Sequence, residues 1–142
     1  MKQALIVYQS KTGTTKKFGF AIRDFLSTLD VEAKAIPVQN FVNGDAEKAD
    51  LIFLGCWTSG LFVIFQHPDK KWSEFAQQLP DLKDKKVALF TTYKLLTGSM
   101  FKNMKQKLIG KISEFSLTLK AKGIELSDQD KENLKQFALN QN

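Results

Sequence analysis

The side chains of this chain that are best suited to chemistry stand in one short segment, Ser10-Lys-Thr-Gly-Thr-Thr15, which carries four hydroxyl groups. The segment lies between an apolar run typical of a buried strand and an amphipathic pattern typical of a helix. Hydroxyls and backbone N–H groups at a helix N-terminus could together hold a phosphate group. A plain capped strand-to-helix turn would use the same residues, so the segment alone leaves both interpretations open. The candidate phosphate ligands are Ser10, Lys11, Thr12, Gly13, Thr14 and Thr15.

Two later segments carry aromatic side chains suited to a flat ligand. The first reads Gly55-Cys-Trp-Thr-Ser-Gly60 and continues into an apolar run over 61–65, and the second is Thr92-Tyr-Lys-Leu-Leu-Thr-Gly-Ser99. Aromatic rings stack well on flat heterocycles. The apolar run must be covered by a ligand, by a partner or by the sheet itself. The candidate residues around a ring are Cys56, Trp57, Thr58, Ser59, Gly60, Thr92, Tyr93, Lys94 and Gly98.

Alternating strand and helix patterns must position these segments. Short apolar runs predict strands over 4–8, 31–37, 51–54 and 87–91. Apolar residues spaced by three or four predict helices over 14–29, 68–79, 99–122 and 128–139, with a helical turn at 46–50. Gly123 is placed to end the long third helix, and 123–126 is predicted as a short fifth strand. We expect a long loop over 55–67.

This alternation predicts the α/β class: a doubly wound three-layer sandwich around a mainly parallel sheet. With 142 residues, the chain is expected to form a single domain over 1–142. Ligands of such sheets bind beyond the carboxyl ends of the strands. The predicted carboxyl-end segments are 9–15, 55–66 and 92–99, where the unusual residues concentrate. A phosphate site bracketed by two aromatic loops describes a mononucleotide with an aromatic head.

The composition argues against several other classes. Cys56 is the only cysteine and His67 the only histidine, which argues against a dedicated zinc site and excludes an internal disulfide. His67 is expected to be a cap or a surface residue. The N-terminal apolar run is too short for a signal peptide, and no stretch approaches membrane-spanning length. These features predict a cytoplasmic protein without a membrane span.

The net charge of +6 is placed unevenly. Between Met100 and Lys122 there is one acid, Glu114, and the sequence predicts a lysine stripe on one long helix. Such a stripe could attract nucleic acid, an anionic membrane or an acidic partner, but a solvated helix face explains it as well. Because no nucleic-acid motif accompanies it, we expect no nucleic-acid partner. The six lysines of the stripe are Lys102, Lys105, Lys107, Lys111, Lys120 and Lys122.

Two other functions of this architecture do not match the residues. A response-regulator receiver needs carboxylates after its first and third strands, whereas this chain has Gln9-Ser10 and Gly55-Cys56 there. A phosphatase would need an arginine at position 62, with five residues between it and Cys56, and this chain has Phe there. The chain also lacks the Gly-Lys-Ser/Thr of a nucleoside-triphosphate loop.

The sequence resembles the flavodoxin family over essentially its full length. Ser10-Lys-Thr-Gly-Thr-Thr15 is similar to the family's phosphate loop, and Asp50-Leu-Ile-Phe-Leu-Gly55 with Cys-Trp-Thr-Ser-Gly60 is similar to the strand and loop on one side of the flavin. Lys86-Val-Ala-Leu-Phe90 with Thr-Thr-Tyr-Lys94 is similar to the strand and loop on the other side. The resemblance implies five parallel strands in the order 2-1-3-4-5. It also implies bound FMN and one-electron transfer between redox partner proteins, a reductase and an acceptor enzyme.

Some residues differ from the family pattern. Ser59 stands at the usual aromatic position after the third strand, with Trp57 two residues earlier, and Tyr93 and Lys94 replace a Gly and an Asp. The acidic surface typical of the family is missing, and lysines near the ring would make the reduction potential less negative. We expect a monomeric carrier. An FMN-dependent reductase of a quinone- or porphyrin-type substrate and a flavin-free interaction module remain alternatives.

Overall fold

The computed structural model describes residues 1–61 and 64–140, and at residues 60, 61, 64 and 65 it describes the backbone alone. Its strands are β1 (Gln3–Gln9), β2 (Glu32–Pro37), β3 (Leu51–Trp57), β4 (Ser59–Leu61), β5 (Ile64–His67), β6 (Lys86–Thr92) and β7 (Phe115–Ala121). Its α-helices are α1 (Thr14–Ser27), α2 (Asn43–Lys48), α3 (Lys70–Gln78), α4 (Met100–Lys107) and α5 (Asp128–Leu139).

Five of the strands form one parallel sheet in the order β2-β1-β3-β6-β7. Counted along the chain within this sheet, the order is the predicted 2-1-3-4-5, so the fold class and the strand order are confirmed. The strands β4 and β5 pair with each other as a small antiparallel hairpin. The hairpin follows β3 directly and stands at the carboxyl end of the sheet, where the predicted loops meet.

Two apolar layers hold helices against opposite faces of the sheet. On one face, Phe18 and Ile22 of α1 and Leu134 of α5 pack in a cluster with Ile6 and Phe53 of the central strands. The central strands β1, β3 and β6 are buried almost throughout because both faces are covered. The other layer packs α2, α3 and α4 against the sheet, through side chains that include Ala46, Trp72, Phe75, Met100 and Met104.

The main correction to the sequence prediction concerns 99–122, which is not one helix. Helix α4 ends at Lys107, Gly110 takes a left-handed φ of 84°, and the chain then enters β7. The helix prediction was wrong because the apolar residues of α4 and of β7 happen to follow one another at spacings of three and four. Within the strand, Phe115, Leu117 and Leu119 are more buried than the polar residues between them, which is the period of two.

The fifth strand is therefore 115–121 and not the predicted 123–126. It is held by parallel pairing with β6, which sequence periodicity does not report. The predicted lysine stripe is divided by the same change: Lys102, Lys105 and Lys107 lie on α4, and Lys120 lies on β7. The prediction of a continuous basic helix face is therefore wrong.

The segment 55–67 also differs from the predicted loop. Strand β3 continues to Trp57, and the hairpin occupies most of the remainder. Helix α3 begins at Lys70 rather than at Pro68, because Asp69 is its N-cap and accepts a hydrogen bond from the backbone N–H of Trp72 at 2.9 Å. His67 is exposed, as expected for a surface residue.

Candidate functional site

A cleft of about 600 Å³ opens at the carboxyl ends of β1, β3 and β6. It brings together side chains from all three segments that the sequence singled out. The predicted site residues that line it are Lys11, Thr12, Thr14, Thr15, Trp57, Thr58, Ser59, Thr92, Tyr93 and Lys94. Four further lining residues were not predicted: Gln66, Leu95, Leu96 and Lys122.

The turn between β1 and α1 is built around Gly13 and Ser10. Gly13 is the N-cap of α1 with a left-handed φ of 96°, a conformation that glycine adopts without strain. The Ser10 hydroxyl accepts from the backbone N–H groups of Gly13 at 3.1 Å and Lys16 at 3.2 Å. Ser10 and Gly13 do not line the cleft; they shape the turn that carries Thr12 and Thr14 into it.

The first turn of α1 presents backbone N–H groups that could bind an anion. Among the described residues, no side chain or carbonyl accepts a hydrogen bond from the backbone N–H groups of Thr14 and Thr15. The first turn also carries no acidic side chain. The positive end of the helix dipole and two unpaired N–H groups therefore meet at the end of the cleft lined by Thr12.

Two pairs of threonine hydroxyls join the start of α1 and the loop after β3 to the end of β6. The hydroxyls of Thr15 and Thr92 lie 2.6 Å apart, and those of Thr58 and Thr91 lie 2.8 Å apart. Thr91 also donates to the carbonyl oxygen of Cys56 at 2.6 Å. These contacts fix the ends of β3 and β6 and the start of α1 relative to one another.

The indole of Trp57 is held from below. Its Nε1–H donates to Oδ2 of Asp69 at 2.9 Å, and the side-chain amide of Gln9 donates to the same oxygen at 3.0 Å. The Lys11 ammonium lies 4.8 Å from the centre of the Trp57 ring, in cation–π range. The half-buried ring thus has a fixed orientation at the cleft. Sequence reasoning missed Asp69, although its place at the start of α3 was a capping signal.

Tyr93 provides the second aromatic ring of the cleft. Its backbone N–H donates to the carbonyl oxygen of Ala121 at 3.0 Å, which ties the loop after β6 to the end of β7. The Lys122 ammonium lies 5.9 Å from the centre of the Tyr93 ring. Each aromatic ring of the cleft therefore has a lysine ammonium near its face.

Gln66 places a buried amide on the cleft wall. It is 4% exposed, and its side-chain amide has no hydrogen-bond partner among the described residues. Its backbone carbonyl accepts from Ser99 Oγ at 3.0 Å and Asn103 Nδ2 at 2.7 Å. A Cβ on Gly98 would overlap the Gln66 amide, so the predicted site residue Gly98 acts beside the cleft by leaving room for this side chain. The only signal in the sequence was a polar residue closing an apolar run.

Two predicted site residues remain. Cys56 packs in the core below the cleft, and burial raises the pKa of its thiol. Gly60 lies in β4. The interpretation of the apolar side chains over 61–65 falls outside the described residues. In the part of the chain that the structure describes, no group of three His, Cys, Asp or Glu side chains could hold a metal ion.

The fold and the cleft define a class: a doubly wound α/β protein with an anion-binding turn and an aromatic slot at the carboxyl edge of its sheet. The sequence profile of the flavodoxin domain family matches residues 5–121. The chain therefore belongs to the flavodoxin domain family, as its sequence indicated. Family membership supports FMN as the cofactor and electron transfer as the general activity. A search of curated proteins found no match.

Solved structures agree on the fold. The two-electron reduced flavodoxin of Megasphaera elsdenii is 23% identical with a TM-score of 0.74, covering 95% of this chain and 97% of its own. Oxidised flavodoxin 2 of Bacillus cereus is 22% identical with a TM-score of 0.74, covering 96% and 95%. A Fusobacterium nucleatum flavodoxin mutant bound to flavin mononucleotide is 16% identical with a TM-score of 0.63, covering 96% and 94%. Among the described helices of this chain, none is long and apolar enough to span a bilayer.

Proposed function

We propose that this chain binds FMN in the cleft and carries electrons one at a time between a reductase and an acceptor enzyme, as a monomeric single domain. The observation that carries the proposal is a convergence: the unpaired N–H groups of Thr14 and Thr15 share one cleft with Trp57 and Tyr93. A phosphate and a flat ring are the two ends of FMN. The cleft volume of about 600 Å³ lies within the range of sites for ligands of this size.

The phosphate is assigned to the turn before α1. The N–H groups of Thr14 and Thr15 and the hydroxyls of Thr12 and Thr14 would hold it without a buried cation. Lys11 is exposed and lies at the Trp57 ring, so its charge adds a long-range attraction rather than a buried ion pair. Ser10 stabilises the turn by accepting two backbone hydrogen bonds.

The ring is assigned to the slot between the loops after β3 and β6. Trp57 and Tyr93 supply apolar faces, and Gln66 supplies an amide that can both donate and accept. A ligand that forms hydrogen bonds with this amide gains affinity. A flat heterocycle with carbonyl and N–H groups on its edge would do so.

When bound, FMN supplies the redox chemistry, and the residues of the chain bind it, orient it and limit its contact with water. None of the lining side chains is needed as a general base. The paired threonine hydroxyls tie the walls of the cleft to each other. A rigid slot suits a carrier, because little protein movement then accompanies each change in cofactor charge.

Ligand titration tests the proposal. We expect the purified protein to be yellow, and the flavin-stripped chain to bind FMN at least about 100-fold more tightly than riboflavin, which lacks the phosphate. The variant Thr12→Val should weaken FMN binding by about tenfold and leave riboflavin binding unchanged. Thr118→Val, at an exposed position of β7, is the matched control and should change neither.

Two results would contradict the proposal. Equal dissociation constants for FMN and riboflavin would show that the turn before α1 does not bind the phosphate. A colourless protein that does not bind FMN on reconstitution would favour the flavin-free interaction module. Flavin fluorescence quenching measures all of these constants on the same samples.

A further inference from the structure

The mouth of the cleft combines exposed apolar surface with positive charge. Leu95 and Leu96 are 45% and 52% exposed, and both line the cleft beside Lys94. Lys11 and Lys122 are also exposed and line it. The two adjacent leucines form an apolar patch at the mouth of the cleft, and such patches are a feature of interaction sites. We call these five residues the lysine rim.

Positive charge predominates at the rim. Among the described residues, no Asp or Glu lines the cleft, and Lys11, Lys94 and Lys122 form no ion pair. Asp69 lies below Trp57, where it accepts from Trp57, Gln9 and the N–H of Trp72, and its single negative charge is outnumbered by the three lysines. The rim therefore presents a positive field to a molecule that approaches the cleft.

Two further carboxylates lie beside the rim. Glu125 and Asp130 border a neighbouring shallow groove together with Lys120 and Lys122. Asp130 is engaged at the start of α5, where it accepts from the N–H of Ser127 at 3.1 Å. Two lysines face these two acids, so the groove does not reverse the sign of the charge around the cleft.

We propose that the lysine rim is the docking surface for a redox protein with an acidic face. This inference rests on the proposed function, because the partner must approach the bound flavin at the cleft. An apolar centre surrounded by charge is the arrangement of a protein–protein interface. Complementary charge raises the association rate while leaving dissociation fast, which a carrier needs between two partners.

Small oxidants of opposite charge measure the sign of the field. The FMN-loaded protein is reduced with dithionite and mixed with ferricyanide or hexaammineruthenium(III) under argon. Each oxidant ion takes one electron and becomes ferrocyanide or hexaammineruthenium(II), while the flavin releases its protons to the buffer. Raising the salt from about 0.01 to about 0.3 M should slow ferricyanide about tenfold and accelerate hexaammineruthenium.

A matched pair of variants locates the charge. The triple variant Lys11→Gln, Lys94→Gln, Lys122→Gln should lose most of the salt dependence with ferricyanide. The control triple variant removes the same charge at exposed lysines outside the cleft, Lys48→Gln, Lys83→Gln and Lys135→Gln. It should retain the wild-type slope. Equal slopes in the two triple variants would overturn the proposal.

Protein probes test the partner class. At low salt, the reduced protein should transfer electrons to an acidic cytochrome b5 with a rate that falls about tenfold with added salt and falls similarly in the rim variant. A basic cytochrome c should show the opposite salt dependence. A flat response with both cytochromes would overturn the proposal. So would binding to phosphatidylserine vesicles through the rim lysines without an effect on the cytochromes, which would indicate a membrane instead.

The two proposals fail separately. If FMN does not bind, the proposed function fails before any oxidant is added. Iodide and caesium quenching of the flavin-free chain then still reports the charge beside Trp57, because Trp72 is fully buried. If the FMN-loaded protein is oxidised at rates that do not depend on salt, only the proposed docking surface is contradicted.

Discussion

The indole of Trp57 and the carboxylate of Asp69 form a hydrogen bond of 2.9 Å that links the end of β3 to the start of α3. The same carboxylate caps α3 through the N–H of Trp72 and accepts from Gln9. One side chain thus fixes a helix end, a strand end and an aromatic ring of the cleft.

Removing this carboxylate should cost more than removing an ordinary cap. Asp69→Ala leaves the indole N–H and the Gln9 amide without their acceptor and removes the cap of α3. We expect the free energy of unfolding in urea to fall by about 2–3 kcal/mol. Ser127→Ala, which removes only the cap of α5, should cost about 1 kcal/mol. Equal losses in the two variants would show that the contacts of Asp69 with Trp57 and Gln9 add nothing.

The left-handed turn at Gly13 gives a second prediction. A Cβ there meets no atom within 4 Å, so the cost of Gly13→Ala is the backbone conformation alone. We expect a loss of about 1 kcal/mol in stability and weaker FMN binding as the turn relaxes. Gly44→Ala is the control, because Gly44 also has open space and no left-handed φ; it should leave stability unchanged or slightly higher. Calorimetry and FMN titration check both, and a neutral Gly13→Ala would contradict the strain.

Gln66 and Gly98 give a third prediction. Gln66→Leu removes the amide but keeps most of the side-chain volume, so FMN affinity should fall by about three- to tenfold. Gly98→Ala pushes the Gln66 amide away, since its Cβ would overlap that group, and it should lower affinity in the same direction. Because Gly98 has a left-handed φ of 47°, this variant should also lose stability. The double variant should be no weaker than Gln66→Leu alone. Additive losses in the double variant would mean that the two positions act independently.

The buried thiol of Cys56 gives a prediction on pH. Burial raises the pKa of this thiol in the folded state, so the unfolded chain releases the proton first, above pH of about 8.5. The folded state then holds more protons than the unfolded state, and stability falls as pH rises. The slope reaches at most about 1.4 kcal/mol per pH unit. Cys56→Ala should lack this part of the slope in urea unfolding between pH 8 and pH 10, whatever its stability at pH 7. Parallel pH profiles would contradict the assignment.

Several features were accessible from local sequence. The strands around Ile6 and Phe53 are short apolar runs, and the turn at Gly13 carries its own chemistry in adjacent residues. Both follow from neighbouring side chains, so periodicity and composition predict them. The division of 99–122 into α4 and β7 did not follow in this way. The apolar residues there fit the helical and the strand period, and pairing with β6 selects the strand.

The sequence by itself determined most of the α/β alternation and the hydroxyl-rich turn, because both are encoded in contiguous residues. The strand order was predicted only through the family resemblance. Only the tertiary structure brought Asp69 under Trp57 and placed Gln66 against Gly98, since those pairs depend on how separate elements meet. It also showed that the predicted lysine stripe is divided between α4 and β7, and that Lys11, Lys94 and Lys122 meet at the mouth of the cleft. Charge position in space depends on the loops after β1, β6 and β7 converging at one sheet edge, and no linear pattern reports that convergence.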